Sequence, residues 1–147
     1  HDTGVSFYGV YYGQSALPHA PEPLRYLDNA VIRDLKVYNA EIKSDIPVYN
    51  LSAAAGRDPY EMFLGGAHSI IRITNPNAEK ERRLIVFRDS FGSSIAPLLT
   101  AGYSEITLVD IRYISPSSLG KLIDFTKADD ALFLYSASVI NNSGTIK

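Results

Sequence analysis

The chain has 147 residues, 46% of them hydrophobic, with 14 basic and 16 acidic side chains and a formal charge of −2. That composition fits one compact domain burying about 70% of its unfolded surface, and it excludes disordered and fibrous classes. The charges are interspersed without a Lys/Arg tract, which leaves no electrostatic footprint for nucleic acid; no apolar run approaches the ~20 residues of a membrane span; and the absence of cysteine excludes disulfides, thiolate metal sites and a cysteine nucleophile.

Residues 1–82 read as β-rich and loop-rich. Short alternating runs at 35–38 and 46–49 stand among Pro18, Pro21, Pro23, Pro47 and Pro59. Leu64-Gly65-Gly66-Ala67-His68 reads as a tight glycine turn into a strand at 69–73, which Asn75-Pro76-Asn77 closes with strong turn chemistry. Residues 83–147 alternate instead: a strand at 84–87, a helix over about 91–101, a strand at 106–110, a helix at 117–127 and a strand at 131–135. This βαβαβ order predicts parallel strands with helices packed over the sheet, because such crossovers are right-handed. Gly102 is placed to end the first helix in the left-handed region, and Ser115-Pro116-Ser117-Ser118 supplies caps and an early proline for the second. Leu119, Leu122, Ile123 and Thr126 share one face of that second helix. No internal repeat is present, and residues 1–147 read as a single domain. A chain that opens in irregular structure and holds only part of an open sheet reads as the C-terminal portion of a larger domain.

The chemistry concentrates at Arg88-Asp89-Ser90-Phe91-Gly92. The apolar run Leu84-Ile85-Val86-Phe87, of the kind buried on both faces of a parallel sheet, delivers Ser90 to the carboxyl edge, where open α/β folds bind ligands. Ser90 is there either a nucleophile or, with Asp89, an ordinary helix cap in an unrelated flavodoxin-like domain. A serine nucleophile needs a base within hydrogen-bond reach. The histidines are His1 at the terminus, His19 in a Pro-rich loop, and His68, which either approaches Ser90 or holds a strand start. Asp89 cannot easily turn back on its neighbour and is expected to tie the strand-to-helix turn through backbone N–H groups. Oxyanion donors would come from the Ser90-Phe91 turn and from Gly66 if that turn lies alongside. Asp110 and Arg112 share the same sheet edge; either Arg112 meets an anionic or polyhydroxylated ligand, or Asp110 and Arg112 pair with neighbours to hold the loop. The ten tyrosines, Tyr8, Tyr11, Tyr12, Tyr49 and Tyr60 among them, form either a sugar-stacking surface or half-buried strand positions. No metal-ligand spacing and no Gly-rich phosphate loop occurs, so neither metal nor cofactor is expected.

Several blocks recur in a family order: Phe7-Tyr8-Gly9, then Asp58-Pro59-Tyr60-Glu61-Met62-Phe63-Leu64-Gly65-Gly66, then Val86-Phe87-Arg88-Asp89-Ser90-Phe91. They continue through Leu108-Val109-Asp110-Ile111-Arg112-Tyr113 to Leu132-Phe133-Leu134-Tyr135. Together they resemble the DHHW family, named for an Asp-His-His-Trp motif and related to the SGNH hydrolases and the alginate O-acetylation proteins. The resemblance implies a three-layer α/β/α, SGNH-hydrolase-like (flavodoxin-like) domain with a mostly parallel sheet. It further implies a place outside a bacterial cell, an esterase or O-acyltransferase acting on acyl esters of carbohydrate or cell-envelope material, and Ser90 at the family's serine. The family's triad aspartate and histidine come from the Asp-His-His-Trp motif upstream of the serine, and this chain does not contain that motif. The resemblance thus implies a portion lacking its general base, with little or no catalysis of its own. Ala67 stands where the family tends to carry a polar residue, often asparagine, which removes a candidate oxyanion or substrate contact. The competing expectation is a catalytically silent carbohydrate-binding or structural module of the same fold. Membrane association is expected only through parts outside this chain, and an exposed edge of a truncated sheet is expected to favour self-pairing.

Overall fold

The computed structural model describes residues 1–9, 18–142 and 144; Tyr11 and Tyr12 lie outside the described residues. Strands β1 (Asp2–Phe7) and β2 (Glu22–Arg25) form an antiparallel ribbon. Helix α1 (Ala30–Asp34) follows, capped by Asn29, whose side chain accepts from the Ile32 N–H at 2.9 Å. The main sheet is built from β3 (Lys36–Asn39), β4 (Ser44–Ile46), β5 (Ile70–Thr74), β6 (Arg83–Arg88), β7 (Glu105–Val109) and β8 (Asp130–Leu134). Helix α2 (Gly92–Leu99) links β6 to β7, α3 (Pro116–Leu122) lies between β7 and β8, and α4 (Ala137–Asn141) follows β8.

The sheet order is β4-β3-β5-β7-β6-β8. β6 pairs in parallel with β7 and β8, while β7 with β5, β5 with β3, and β3 with β4 pair antiparallel. The expected mostly parallel sheet is therefore corrected to a mixed, largely antiparallel one. Connection chemistry explains the difference. A parallel return needs a crossover of a dozen residues or more, commonly a helix, and α2 and α3 supply two of them. Between β5 and β6 there is instead a turn in which the Asn75 side chain accepts from the Asn77 N–H at 2.9 Å, so the chain reverses direction. The β-rich N-terminal half thus extends the βαβαβ sheet with antiparallel strands.

Alternation along β6 and β7 sends apolar side chains to both faces. Leu84, Val86, Ile106 and Leu108 pack with Ala96 and Leu99 of α2 on one side; Ile85, Phe87 and Val109 pack with Leu119 and the adjoining Ile123 on the other. A third cluster, Leu24, Ala54, Met62 and Phe63, is roofed by Tyr26, Tyr49 and Tyr60, which places those tyrosines half inside the fold. Edge strand β8 presents Phe133, 68% exposed, stacked 4.8 Å from Phe87.

Two helix boundaries differ from expectation. The predicted helix at 117–127 stops at Leu122, because Asp124 caps a separate 3-10 turn (Phe125–Lys127) through the Thr126 N–H and hydroxyl, and Ile123 is extended. The first helix ends at Leu99 without a left-handed Gly102; the Thr100 hydroxyl donates to the Pro97 carbonyl at 2.6 Å and closes the last turn. The fold makes a direct test of its core possible: Ile106→Ala, at a wholly buried position of β7, should cost about 2–5 kcal/mol, read from denaturant midpoints. Ile140→Ala on exposed α4 should fall within about 0.5 kcal/mol of the parent.

Candidate active site

Parallel β6 runs out at Arg88 and α2 starts at Gly92, so Asp89, Ser90 and Phe91 form the strand-to-helix turn. Asp89 is buried. Its carboxylate accepts from the Phe91 N–H at 3.0 Å and from the Ser136 N–H at 2.7 Å. One side chain thereby joins the β6–α2 turn to the β8–α4 turn, while the Asp89 N–H donates to the Leu134 carbonyl at 3.3 Å. Ser90 is half-buried, and neither its hydroxyl nor its N–H has a hydrogen-bond partner among the described residues. It lines an open cleft of about 290 Å³ together with Phe91, Arg112, Ser136, Ser138 and Asn142. Phe91 stands at the lip and meets the Tyr60 ring edge-on at 6.1 Å. The Tyr60 hydroxyl lies 2.8 Å from Ser94 Oγ and 3.1 Å from the Phe91 carbonyl oxygen, which fixes the first turn of α2.

Asp110, wholly buried at the end of β7, accepts three N–H groups of Arg112: the backbone at 3.1 Å, Nε at 2.9 Å and Nη2 at 2.7 Å. This two-pronged grip raises the Arg112 pKa. Arg112 both ties its loop and borders the cleft. Behind Asp110 lies the buried Arg88, with Nη1 at 3.9 Å from Asp110 Oδ2. The Tyr135 hydroxyl is also buried, without a partner among the described residues; burial, followed by the Asp110 and Asp89 charges, pushes its pKa up.

His68 sits at the same sheet edge, since Ser69 receives the Asp110 N–H at 2.9 Å, but β7 separates its strand from β6. Its Nδ1 lies 3.0 Å from Glu41 Oε2, and it makes no hydrogen bond with Ser90. His1 stacks on Tyr26 and His19 lies 2.9 Å from the Ala20 carbonyl, so none of the three histidines bonds Ser90. Gly66, in a turn that forces φ to +95°, donates its N–H to the Phe63 carbonyl at 3.2 Å. That donor is engaged inside its own turn. The Phe91 N–H is likewise held by Asp89, which leaves the Ser90 N–H as the uncommitted donor of the turn. Among the described residues, no group of three His, Asp or Glu is placed to hold a metal ion.

No protein-family model matches the sequence, and no curated protein sequence matches it. Solved structures do. PatB1 of Bacillus cereus with a sulfonyl adduct aligns at TM-score 0.64 and 23% identity, over 85% of this chain and 44% of that one. A DHHW family protein from Eubacterium siraeum aligns at TM-score 0.60 and 22% identity, over 86% and 42%. A further PatB1 structure aligns at TM-score 0.55 and 25% identity, over 72% and 36%. The fold is shared over most of this chain. The chain spans less than half the length of the solved proteins it matches.

Sequence reasoning missed Arg88, Tyr135 and the β8–α4 turn with Ser136. The signal for the last was available, since Ser136-Ala137-Ser138 follows an apolar strand as Asp89-Ser90 does. Asp89→Asn places an amide NH₂ against one of two backbone N–H donors, and it should cost about 2 kcal/mol by chemical denaturation. Glu41 gives a pH test. Burial pushes its pKa up, but hydrogen bonds from Ser69 and His68 outweigh that and hold it below the ordinary value of 4.5. A depressed carboxylate contributes stability above its unfolded pKa and loses it as pH falls through the folded value. The stability gap between the parent and Glu41→Gln should therefore be widest near neutrality and close on acidification below the ordinary carboxylate range, as followed by melting temperature.

Proposed function

We propose that this chain carries the nucleophilic serine of a secreted or cell-surface SGNH-like esterase or O-acyltransferase, a protein of the DHHW type acting on acyl esters of carbohydrate or cell-envelope material. The observation that carries the reading is Ser90 itself: hydroxyl and N–H uncommitted, beside an open cleft, on a turn that the buried Asp89 carboxylate pins from two sides. A nucleophile on a rigid turn with a ready N–H donor beside it suits acyl transfer, where a tetrahedral oxyanion must be stabilised without reorganisation. The likeness in fold to PatB1, which is solved with a sulfonyl adduct, supports the reading, because sulfonyl groups add to activated nucleophiles. The general base would come from outside this chain, with the Asp-His-His-Trp motif as its source, and these 147 residues alone would be inactive or nearly so.

That none of the three histidines hydrogen-bonds Ser90 favours a second reading, a silent carbohydrate-binding or structural module. A serine-directed phosphonate probe separates the two. In a longer protein that includes the upstream segment, Ser90 should be labelled and Ser90→Ala should not, while the 147-residue chain labels slowly or not at all. A folded longer protein that takes no probe would establish the silent module.

A further inference from the structure

The peptide unit joining Asp89 to Ser90 has its two ends in different states. Its carbonyl oxygen accepts from the Gly92 N–H at 3.1 Å and from Arg88 Nη1 at 3.3 Å. Its N–H, that of Ser90, has no partner among the described residues. The other N–H groups of the turn are committed: Asp89 to the Leu134 carbonyl, Phe91 to the Asp89 carboxylate, Gly92 to the Asp89 carbonyl and Ser93 to the Ser90 carbonyl.

Arg88 is an unusual neighbour for that peptide. Among the described residues it is the largest wholly buried side chain, and its Nε and Nη2 have no partner. Burial pulls its pKa down while the Asp110 carboxylate opposes this, and an arginine stays cationic in a protein interior. A buried cation with orphaned donors destabilises a fold, and an apolar side chain of similar volume would fill the space better. Stability therefore does not account for it. The local backbone is nonetheless shaped to admit it: a Cβ at position 92 would lie 2.7 Å from Arg88 Cβ, 3.0 Å from Cγ and 3.2 Å from Cδ, so glycine there lets the stem pass beneath α2.

We propose that Arg88 is a positioning residue for the Ser90 site: its guanidinium donates to the Asp89 carbonyl, polarises the Asp89–Ser90 peptide and strengthens the Ser90 N–H as a donor to the oxyanion formed on attack by Ser90. Hydrogen bonds at the two ends of one peptide polarise each other, and a charged donor does so more than a neutral one. In the step served, the Ser90 Oγ–carbon bond forms, the base takes the hydroxyl proton, and the carbonyl π pair moves onto the oxygen facing the N–H. Arg112, with two guanidinium nitrogens on Asp110, borders the cleft but makes no hydrogen bond to this peptide. The inference rests on the acyl-transfer reading for its purpose, though not for its physical content.

The test uses amide NMR of this chain with Arg88→Met, Arg88→Lys and Gly92→Ala, each checked for native β6 and β7 resonances. The Ser90 amide proton should move upfield in every folded variant, further than those of Ile106 and Leu108. An unmoved Ser90 amide overturns the proposal. Should the variants not fold, the unmodified chain decides: Arg88 guanidinium protons should be resolved and slowly exchanging, with contacts to the Gly92 α protons, and a freely rotating, fast-exchanging guanidinium overturns it. In the longer protein, Arg88→Lys should slow phosphonate capture of Ser90 about tenfold, with the pH midpoint of labelling unchanged because the base is untouched; an unchanged rate overturns the proposal. If unmodified Ser90 takes no probe, the acyl-transfer reading fails while the amide shifts still decide the role of Arg88.

Discussion

Because β6 pairs in parallel with both β7 and β8, the carboxyl ends of three neighbouring strands reach one edge of the sheet. Asp89, Asp110 and Ser136 all leave the sheet there. The Asp89 carboxylate turns that adjacency into a rigid unit, since its two oxygens hold backbone N–H groups of two different turns. A neutral side chain could satisfy one of these donors but not both in the same geometry. Ser90 inherits its placement from this clamp and from its carbonyl, which accepts from the Ser93 N–H, rather than from any bond of its side chain.

Around the clamp the charges alternate. Asp89 adjoins Arg88, Arg88 faces Asp110, and Asp110 grips Arg112, which borders the cleft. Three of these four side chains are buried, and three backbone N–H groups and one guanidinium fork bond the two carboxylates. Among the described residues, the buried side-chain atoms left without a hydrogen-bond partner include Arg88 Nε and Nη2, Ser93 Oγ and the Tyr135 hydroxyl. Elsewhere the core follows ordinary rules of aliphatic packing, with Ile71, Ile73, Val86, Ile106 and Leu108 fully enclosed. A polar knot of this kind, against an aliphatic background, costs the fold stability.

A place at the same edge of the sheet does not by itself bring a side chain to Ser90. His68 reaches the correct edge of the sheet, but β5 lies on the far side of β7 from β6, and Glu41 engages its ring. Strand order, not distance along the chain, decides which side chains meet. Arg88 is the counterpart: adjacent to Asp89 in sequence, it points into the layer beneath α2, while Ser90 opens to the cleft.

Much of the fold was legible in the sequence for local reasons. Leu84-Ile85-Val86-Phe87 reads as a strand buried on both faces, the alternation of strands with longer helical segments gave the two crossover helices though not their caps or the end of the second, and the strand-to-helix position of Ser90 followed from both. Side-chain roles that depend on one turn were equally readable, such as the Asn75 side chain closing β5 on Asn77. Tertiary structure alone decided what depends on residues far apart in the chain. The antiparallel joining of β5 to β7 sets the mixed character of the sheet, and no local pattern distinguishes it from a parallel neighbour. The capture of the Ser136 N–H by Asp89, the pairing of His68 with Glu41 and the burial of Arg88 under Gly92 each join groups whose sequence neighbours give no hint of the contact. Propensity and periodicity are properties of a single segment, whereas a site is a property of the edge where segments meet.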